Sequence, residues 1–344
     1  MADMVPSAAE AAPSPAALAL CLACLLATAG CAMAVQLSAR MWWADLATFF
    51  VPYLAVVVAL STCAALWVLR AEGGKPVVLD LAVLTVIAAF FFAAISAAQS
   101  RAAAGNGGPD FTVMTYNVQG FNGKRGPVIA AIRKASPDVV VLQECERAWN
   151  EDIASLGYSG RALVGGDGQL VEVLTRFPVA SVEKVSPEPV GGLRQSDGYR
   201  VTLEIPDGAG RRVPLVLYAI HPSTPRTYAG WKARNAYLEK VSAMVAAEGE
   251  GTRVVVAGDW NVSSWSGTFR NFLSEAGLEE NGGWSGPGAS RVFWRKWGFV
   301  FGSPVDHIAV GPGIEVASYG ALRPADNTSD HDPVMMTARI RSLD

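Results

Sequence analysis

The sequence predicts an α+β fold in which two β-sheets pack face to face with helices on the outside, preceded by three transmembrane helices. Three observations carry this expectation. Charged residues are scarce before Asp110, where three long apolar runs follow one another, and ordinary in number after it. Beyond that point, short apolar or alternating segments bounded by Gly, Pro and Asp outnumber helical ones. Helical segments fall twice between strands in similar places, the pattern of two packed sheets covered by helices.

The apolar runs cover residues 16–37, 44–69 and 77–97, each at or above the roughly 20 residues a helix needs to cross the hydrocarbon core. No amphipathic period interrupts them, which argues against helices of a soluble bundle. A cleaved signal peptide fits less well, because no Lys or Arg precedes Ala16 and two further runs follow. Asp45, with Trp42 and Trp43, is expected at an edge of the bilayer, where aromatic rings and a charge can reach the interface. Residues 1–100 therefore read as a three-span membrane anchor, and the lipid bilayer is the partner it implies. Positive-inside counting sets Arg70 and Lys75 against Arg40 and Arg101, a tie that leaves orientation open. Cys21, Cys24, Cys31 and Cys63 lie in the apolar runs, and Cys145 stands alone beyond them. The second part thus has neither an internal disulfide nor a cysteine-based zinc site.

A Gly/Ala linker at 101–109 leads to a globular domain at 110–344. With 24 basic and 26 acidic residues this domain is close to neutral, so it lacks the basic excess of strong non-specific nucleic-acid binders. A strand at 111–117 ends in Asn117 and is closed by Gly120. A helix at 128–135 is broken by Ser136-Pro137, and a buried strand at 138–144 ends in Glu144. A meander follows at 158–164, 169–175, 179–185, 199–205 and 213–220, the last running into His221-Pro222. The helix at 226–247 sets Trp231, Leu238, Val241 and Val245 on one face. After it comes the stretch Arg-Val-Val-Val-Ala-Gly-Asp-Trp-Asn, a fully apolar strand in which Gly258 turns the backbone so that Asp259 and Asn261 leave the sheet at its end. A helix at 266–276, a Gly-rich loop at 277–288 and strands at 305–310, 314–318 and 333–340 complete the chain.

Polar residues stand at the ends of these apolar strands. Asn117, Glu144, His221, Asp259 and Asn261 follow strands; Asp306-His307 opens one, and Ser329-Asp330-His331-Asp332 precedes the last. Each has a bland alternative as a turn, a cap or a satisfied rim residue. All three histidines of the chain lie in such positions, however, and that weakens the bland readings together. His307, one step from Asp306, points to the opposite face of its strand and reads as structural. A carboxylate and an amide on a rigid strand end suit a hydrated cation and a phosphate oxygen, because hard divalent cations take oxygen ligands.

The ordered set resembles the endonuclease/exonuclease/phosphatase superfamily, the deoxyribonuclease I-like fold. The matching stretches are TYNVQG at 115–120, VVVLQE at 139–144, LYAIHP at 217–222, VVVAGDWNVSSWS at 254–266, SPVDHIAV at 303–310 and SDHDPV at 329–334. The resemblance spans about 110–340, is carried by six motifs in order, and extends to membrane-anchored bacterial members with three N-terminal spans. It implies a four-layer α/β/β/α sandwich and an enzyme that hydrolyses phosphate esters. In its terms Glu144 and Asp330 hold Mg²⁺, with Mn²⁺ as the other candidate. Asn117, Asn261 and His221 contact the phosphate, and Asp259 orients the attacking water or the leaving group. His331, paired with Asp306, serves as base or as charged donor, and His221 contacts phosphate or protonates the leaving oxygen. No carboxylate partner for His221 can be assigned from the sequence. Asp332 stands where the family more often has an arginine or a small residue, a change expected to alter the rim of the site.

The function expected is therefore that of a membrane-anchored, Mg²⁺-dependent phosphoric ester hydrolase, foremost a nuclease-like phosphodiesterase. The resemblance to anchored bacterial members implies a bacterial inner membrane with the domain facing outward. Nucleic acid, phospholipid and a small phosphodiester remain open as substrates, since the fold hosts all three. The alternatives are a sphingomyelinase-type phospholipid phosphodiesterase and a non-catalytic membrane-tethered binding module. No protein partner can be inferred. The stretch 291–301, Arg-Val-Phe-Trp-Arg-Lys-Trp-Gly-Phe-Val-Phe, interleaves aromatic and basic residues and could stack bases, touch a bilayer or pack the domain.

Overall fold

The computed structural model describes residues 15–71, 111–162, 171–193, 195–207, 209–282, 286–293 and 301–341. The third apolar run, the linker and residues 294–300 lie outside them.

The globular domain is built on two copies of one idea, a strand–helix–strand unit whose strands lie parallel. In the first, β1 (Phe111–Asn117) and β2 (Val139–Gln143) flank helix α4 (Arg125–Ala135). In the second, β7 (Arg212–Ile220) and β8 (Arg253–Asp259) flank α6 (Tyr228–Ala246). Antiparallel strands extend each pair into a sheet. One sheet has six strands, adding β3 (Gly160–Ala162), β4 (Glu172–Thr175), β12 (Ile314–Ala321) and β13 (Val334–Ile340) in the order β12-β13-β1-β2-β4-β3. The other has five, adding β5 (Val179–Val185), β6 (Gly198–Pro206) and β11 (Asp306–Val310) in the order β11-β8-β7-β6-β5, and the short β9 (Arg291–Val292) and β10 (Gly302–Ser303) pair with each other as a separate antiparallel ribbon.

Burial sorts these elements into layers. Val113, Val139, Val141 and Val173 of one sheet meet Val201, Leu217, Val255 and Ile308 of the other in a core between the sheets. On the outer face of the first sheet Met114, Val140 and Leu142 pack on Val128 and Ile132 of α4 and on Ile153 of the short α5 (Asn150–Ala154). On the outer face of the second, Val216, Tyr218 and Val256 pack on Leu238 and Val241 of α6 and on Phe269 and Phe272 of α7 (Gly267–Ala276). Both faces of the central strands are therefore covered, which is why β2 and β8 read as nearly continuous apolar runs. Each such fully buried side chain contributes about 1.5–3 kcal/mol relative to exposure. The result is the expected α/β/β/α sandwich.

The N-terminal part departs from expectation. Helix α1 (Pro15–Leu37) matches the first apolar run, but the second run breaks: α2 (Trp42–Thr48) ends at Phe49, and α3 (Val51–Ala71) starts beyond it. Asp45 does not sit at a bilayer edge. It is fully buried against the globular domain, in an ion pair with Arg234 at 2.8 Å, because a lone carboxylate is far better placed opposite a buried guanidinium than in lipid. Trp42 likewise donates its indole N–H to the Pro225 carbonyl at 2.8 Å. Among the described residues no single helix is long and apolar enough to cross a membrane; the pair Leu22–Leu37 and Trp42–Thr48, bent by 108°, reaches that length and composition together.

Candidate active site

Parallel neighbours share a direction, so β1 and β2 end at the same edge of one sheet, and β7 and β8 at the same edge of the other. Those edges face each other and bring Asn117, Glu144, His221 and Asp259 together. The antiparallel β11 starts where β8 ends, and Asp306 stands opposite Asp259 in the pairing register. β13 runs antiparallel to β1, with Val334 opposite Thr115, so His331 just ahead of it arrives beside Asn117. A cavity of about 490 Å³ opens there, lined among others by Glu144, His221, Asp259, Asn261, Asp330 and His331.

Backbone geometry aims these groups. A Cβ on Gly258 would lie 1.9 Å from the Ile220 carbonyl oxygen, so only glycine lets β8 come this close to β7 at the step that brings His221 beside Asp259. Glu144 and Asn261 adopt φ of 56° and 50°, a left-handed conformation that costs a non-glycine residue of order 1 kcal/mol and persists only where surroundings impose it. In both cases it turns the side chain back toward the cavity as the chain leaves the sheet.

Asp259 is the hub. Its Oδ2 lies 3.6 Å from His221 Nε2 and 3.8 Å from His331 Nε2. The Asn117 amide donates to it at 3.0 Å and to Glu144 Oε1 at 3.0 Å. Asp259 Oδ1 accepts the Asn261 backbone N–H at 2.9 Å. Burial alone would raise the Asp259 pKa, but the His331 and His221 imidazoles and the Asn117 amide outweigh it and hold the carboxyl below its ordinary range. His331 Nδ1 pairs with Asp306 Oδ2 at 2.8 Å, as the sequence led us to expect. Burial disfavours the imidazolium, yet Asp306 and Asp259 together push the His331 pKa up to about 9. Asp306 is raised above its ordinary value, by burial first and by the neighbouring Asp259 charge. The missing partner of His221 is thus Asp259 itself.

Glu144 accepts from Asn117 and from the Gly120 N–H at 3.2 Å, and Asp330 lies 3.5 Å from the Arg291 guanidinium on the same cavity. Asn261 donates its side-chain amide to the Pro222 carbonyl at 3.0 Å. His307 is buried between Glu280 at 2.6 Å and the Val262 carbonyl at 2.8 Å, a structural role as expected. Asp332 does not shape the rim: it is buried, paired with Arg323 at 2.9 Å and bonded to Asn327. A carboxylate there is tolerated because that guanidinium satisfies it. The two described ends of the aromatic stretch meet the N-terminal segment, Phe293 stacking on Phe50 and Phe301 on Tyr53 at centroid distances of 5.5 and 5.7 Å.

Sequence reasoning missed three contributors. Ser290 Oγ accepts the N–H groups of Val305 and Asp306, fixing the start of β11. Ser329 Oγ donates to the Asn117 carbonyl at 2.7 Å and accepts the His331 N–H at 3.1 Å, tying two sides of the site together. Arg234 donates to the Asn261 carbonyl at 2.9 Å from below. Ser329 stands in the stretch 329–334 singled out above but had no role assigned to it, and Arg234 had a signal of its own, a charge three residues after Trp231 and four before Leu238 on the apolar face of α6.

The donors suit a divalent cation. Glu144 offers a carboxylate on the cavity whose two oxygens are oriented by Asn117 and Gly120, and Asp330 offers a second, a ligand set that hard cations prefer. Asp259, Asp306 and His331 also bring one ligand atom each within 4.8 Å of one another. In that trio, however, His331 Nδ1 is already engaged by Asp306 Oδ2, the arrangement of an acid–base pair.

Fold and site are those of a phosphoester hydrolase. A family model described as the endonuclease/exonuclease/phosphatase family matches residues 114–331, and the chain belongs to that family, whose members depend on divalent metal. Solved structures agree on the fold. An endonuclease/exonuclease/phosphatase from Beutenbergia cavernae shares 23% identity at a TM-score of 0.54, covering 68% of this chain and 72% of its own. D. rerio TDP2, complexed with a single-stranded DNA product, shares 17% at 0.53 over 67% of this chain and 98% of its own. The human Nocturnin catalytic domain, with bound sulfate, shares 20% at 0.50 over 69% and 96%. No curated protein sequence matches the chain.

Proposed function

We propose that the chain is a membrane-anchored, Mg²⁺-dependent phosphodiesterase. The observation that carries this reading is the convergence of two imidazoles on one buried carboxylate, His221 and His331 on Asp259 Oδ2, beside the Glu144 and Asp330 carboxylates on the same cavity. Glu144 and Asp330 would hold the cation. Bound there, it would neutralise charge on the phosphate and on the oxygens entering and leaving it.

The chain's own residues account for the proton movements. Asp259, held ionised, takes a proton from water at Oδ2 as the water oxygen bonds to phosphorus and the bond to the leaving oxygen breaks. His221 lies within reach to protonate that oxygen. His331, kept cationic by Asp306, donates from Nε2 to a phosphate oxygen, so the charged-donor role is favoured over that of base. The second hydrogen of the Asn261 amide is left for the phosphate, whereas both hydrogens of the Asn117 amide are held by Glu144 Oε1 and Asp259 Oδ2, so Asn117 would contact the phosphate only by giving up one of them.

A phospholipid headgroup is the second reading of the substrate. Arg226, Thr227 and Gly230 line the cavity, and the adjacent Tyr228 ring meets Trp42 of α2 at 6.2 Å, so the rim of the site is continuous with the N-terminal segment. The anchor, residues 1–100, is supported by the three apolar runs and by the outward apolar surface of Leu22, Leu26, Met33, Val57, Leu60 and Trp67. We place the domain outward; a reporter fused after Ile340 that works only in the cytoplasm would overturn this.

The test is a Mg²⁺-dependence screen of the full chain in detergent, on plasmid DNA, single-stranded RNA, sphingomyelin and phospholipid vesicles, and bis(p-nitrophenyl) phosphate. Turnover lost with chelator and restored by Mg²⁺ supports the reading, and the preferred substrate selects its class. Binding without turnover of any of them would leave the non-catalytic module.

A further inference from the structure

The turn that carries Asn261 is held from three directions. Asp259 Oδ1 fixes its N–H, Pro222 accepts its side chain, and Arg234 Nη1 donates to its carbonyl at 2.9 Å. Arg234 is wholly buried beneath the site and would be an uncompensated charge on its own. Its counter-charge comes from outside the globular domain: Asp45 of α2, equally buried, places Oδ2 2.8 Å from the same Nη1. Asp45 Oδ1 in turn accepts from Ser266 Oγ, the N-cap of α7.

The contact around this pair is built in detail. Ser38 Oγ accepts the Gly267 N–H at 2.7 Å, and Ser263 Oγ donates to the Thr48 carbonyl at 3.1 Å. A Cβ at Gly267 would lie 3.0 Å from Ala39. The chain from Ser263 to Gly267, which follows directly on the turn at Asn261, is thus seated on α2 and on the turn just before it. In the second apolar run, 44–69, Asp45 is the one charge.

We propose that Asp45 is a positioning residue for the hydrolase site: by fixing Arg234 it fixes the Asn261 carbonyl, and with it the left-handed turn from which Asn261 and Asp259 are presented. The N-terminal segment then completes the active site of its own chain besides tethering it. The kinetic readout of this proposal rests on the hydrolase reading; its exchange readout does not.

The experiment uses the full chain in detergent with Asp45→Asn, Arg234→Met, the combination of those two, and the apolar pair Asp45→Leu with Arg234→Met. Turnover of bis(p-nitrophenyl) phosphate with Mg²⁺ and amide hydrogen exchange of residues 259–266 are followed side by side. Asp45→Asn is expected to lower kcat about 10- to 100-fold with KM nearly unchanged, as small misplacements of catalytic groups do, and to speed exchange in 259–266 but not in β1 or β2. Asp45→Asn combined with Arg234→Met should be no slower than the worse single variant, since Asp45 acts through Arg234. The apolar pair can keep the contact folded, as hydrophobic replacements of buried ion pairs often do, so a stable but slow enzyme with fast exchange separates positioning from stability. An apolar pair with the parent's kcat and exchange pattern overturns the proposal, as does a folded Asp45→Asn variant that matches the parent in both. If Asp45→Asn fails to fold, the apolar pair decides. If the parent itself turns nothing over, the hydrolase reading falls and exchange alone decides the coupling.

Discussion

His331 Nδ1 and Asp306 Oδ2 lie 2.8 Å apart with both side chains buried, and the far nitrogen of the same ring faces Asp259 at 3.8 Å. One imidazole thus stands between two carboxylates, one that orients it and one that shares the cavity with it. This fixes the tautomer, favours the charged ring and leaves Nε2 as the working atom.

Residues acting as one unit give non-additive losses. His331→Ala is expected to lower kcat/KM about 10²- to 10⁴-fold, the range for removing a positioned proton-transfer group. Asp306→Asn should cost less, and the double variant little more than His331→Ala alone. Losses that multiply would show the two side chains working independently.

The pH profile follows from the same pair. Because the His331 pKa is raised to about 9, the cationic donor is present below that pH and is lost as pH rises through it. Activity should therefore fall on the alkaline side near pH 9. Asp306→Asn removes the carboxylate that raises the ring, so the alkaline limb should move to lower pH. A limb that stays in place would assign it to another group.

Glu144→Gln keeps the shape and the hydrogen bond from Asn117 but removes the charge a cation needs. Turnover should drop by about 10² or more while the unfolding midpoint in the absence of metal stays within a few degrees. Chelator should produce the same loss in the parent and Mg²⁺ restore it. Parent-like activity in Glu144→Gln at low and at saturating Mg²⁺ would remove Glu144 from the metal site.

Asp259→Asn and Asn261→Ala test the hub and the turn beside it. If both act mainly in the transition state, kcat should fall more than KM rises, by about 10²-fold or more for Asp259. Steady-state kinetics on one substrate distinguishes this from a pure KM effect, which would make them binding residues.

Much of the site was legible because its signals are local. An apolar strand that stops at an Asn, a Glu, a His or an Asp-x-Asn pair is visible within a few residues, and the placement of all three histidines in such positions needed no structure. Separating His307 from Asp306 required only the alternation of side chains along a strand, and its burial against Glu280 agrees. The pairing of Asp306 with His331 followed from the resemblance, which told which strand ends meet.

By itself, then, the sequence determined the layers of the domain, the apolar character of its N-terminal segment and the chemical types at each strand end. Hydrophobic period and turn residues act over a few positions and are written in order along the chain. Only the tertiary structure decided the partners. It gave His221 its carboxylate in Asp259, buried Asp332 against Arg323, broke the second apolar run at Phe49 and drew Asp45 beneath the catalytic turn to meet Arg234. A buried charge must find an opposite charge wherever packing brings one, and that choice depends on which faces the sheets and helices close upon.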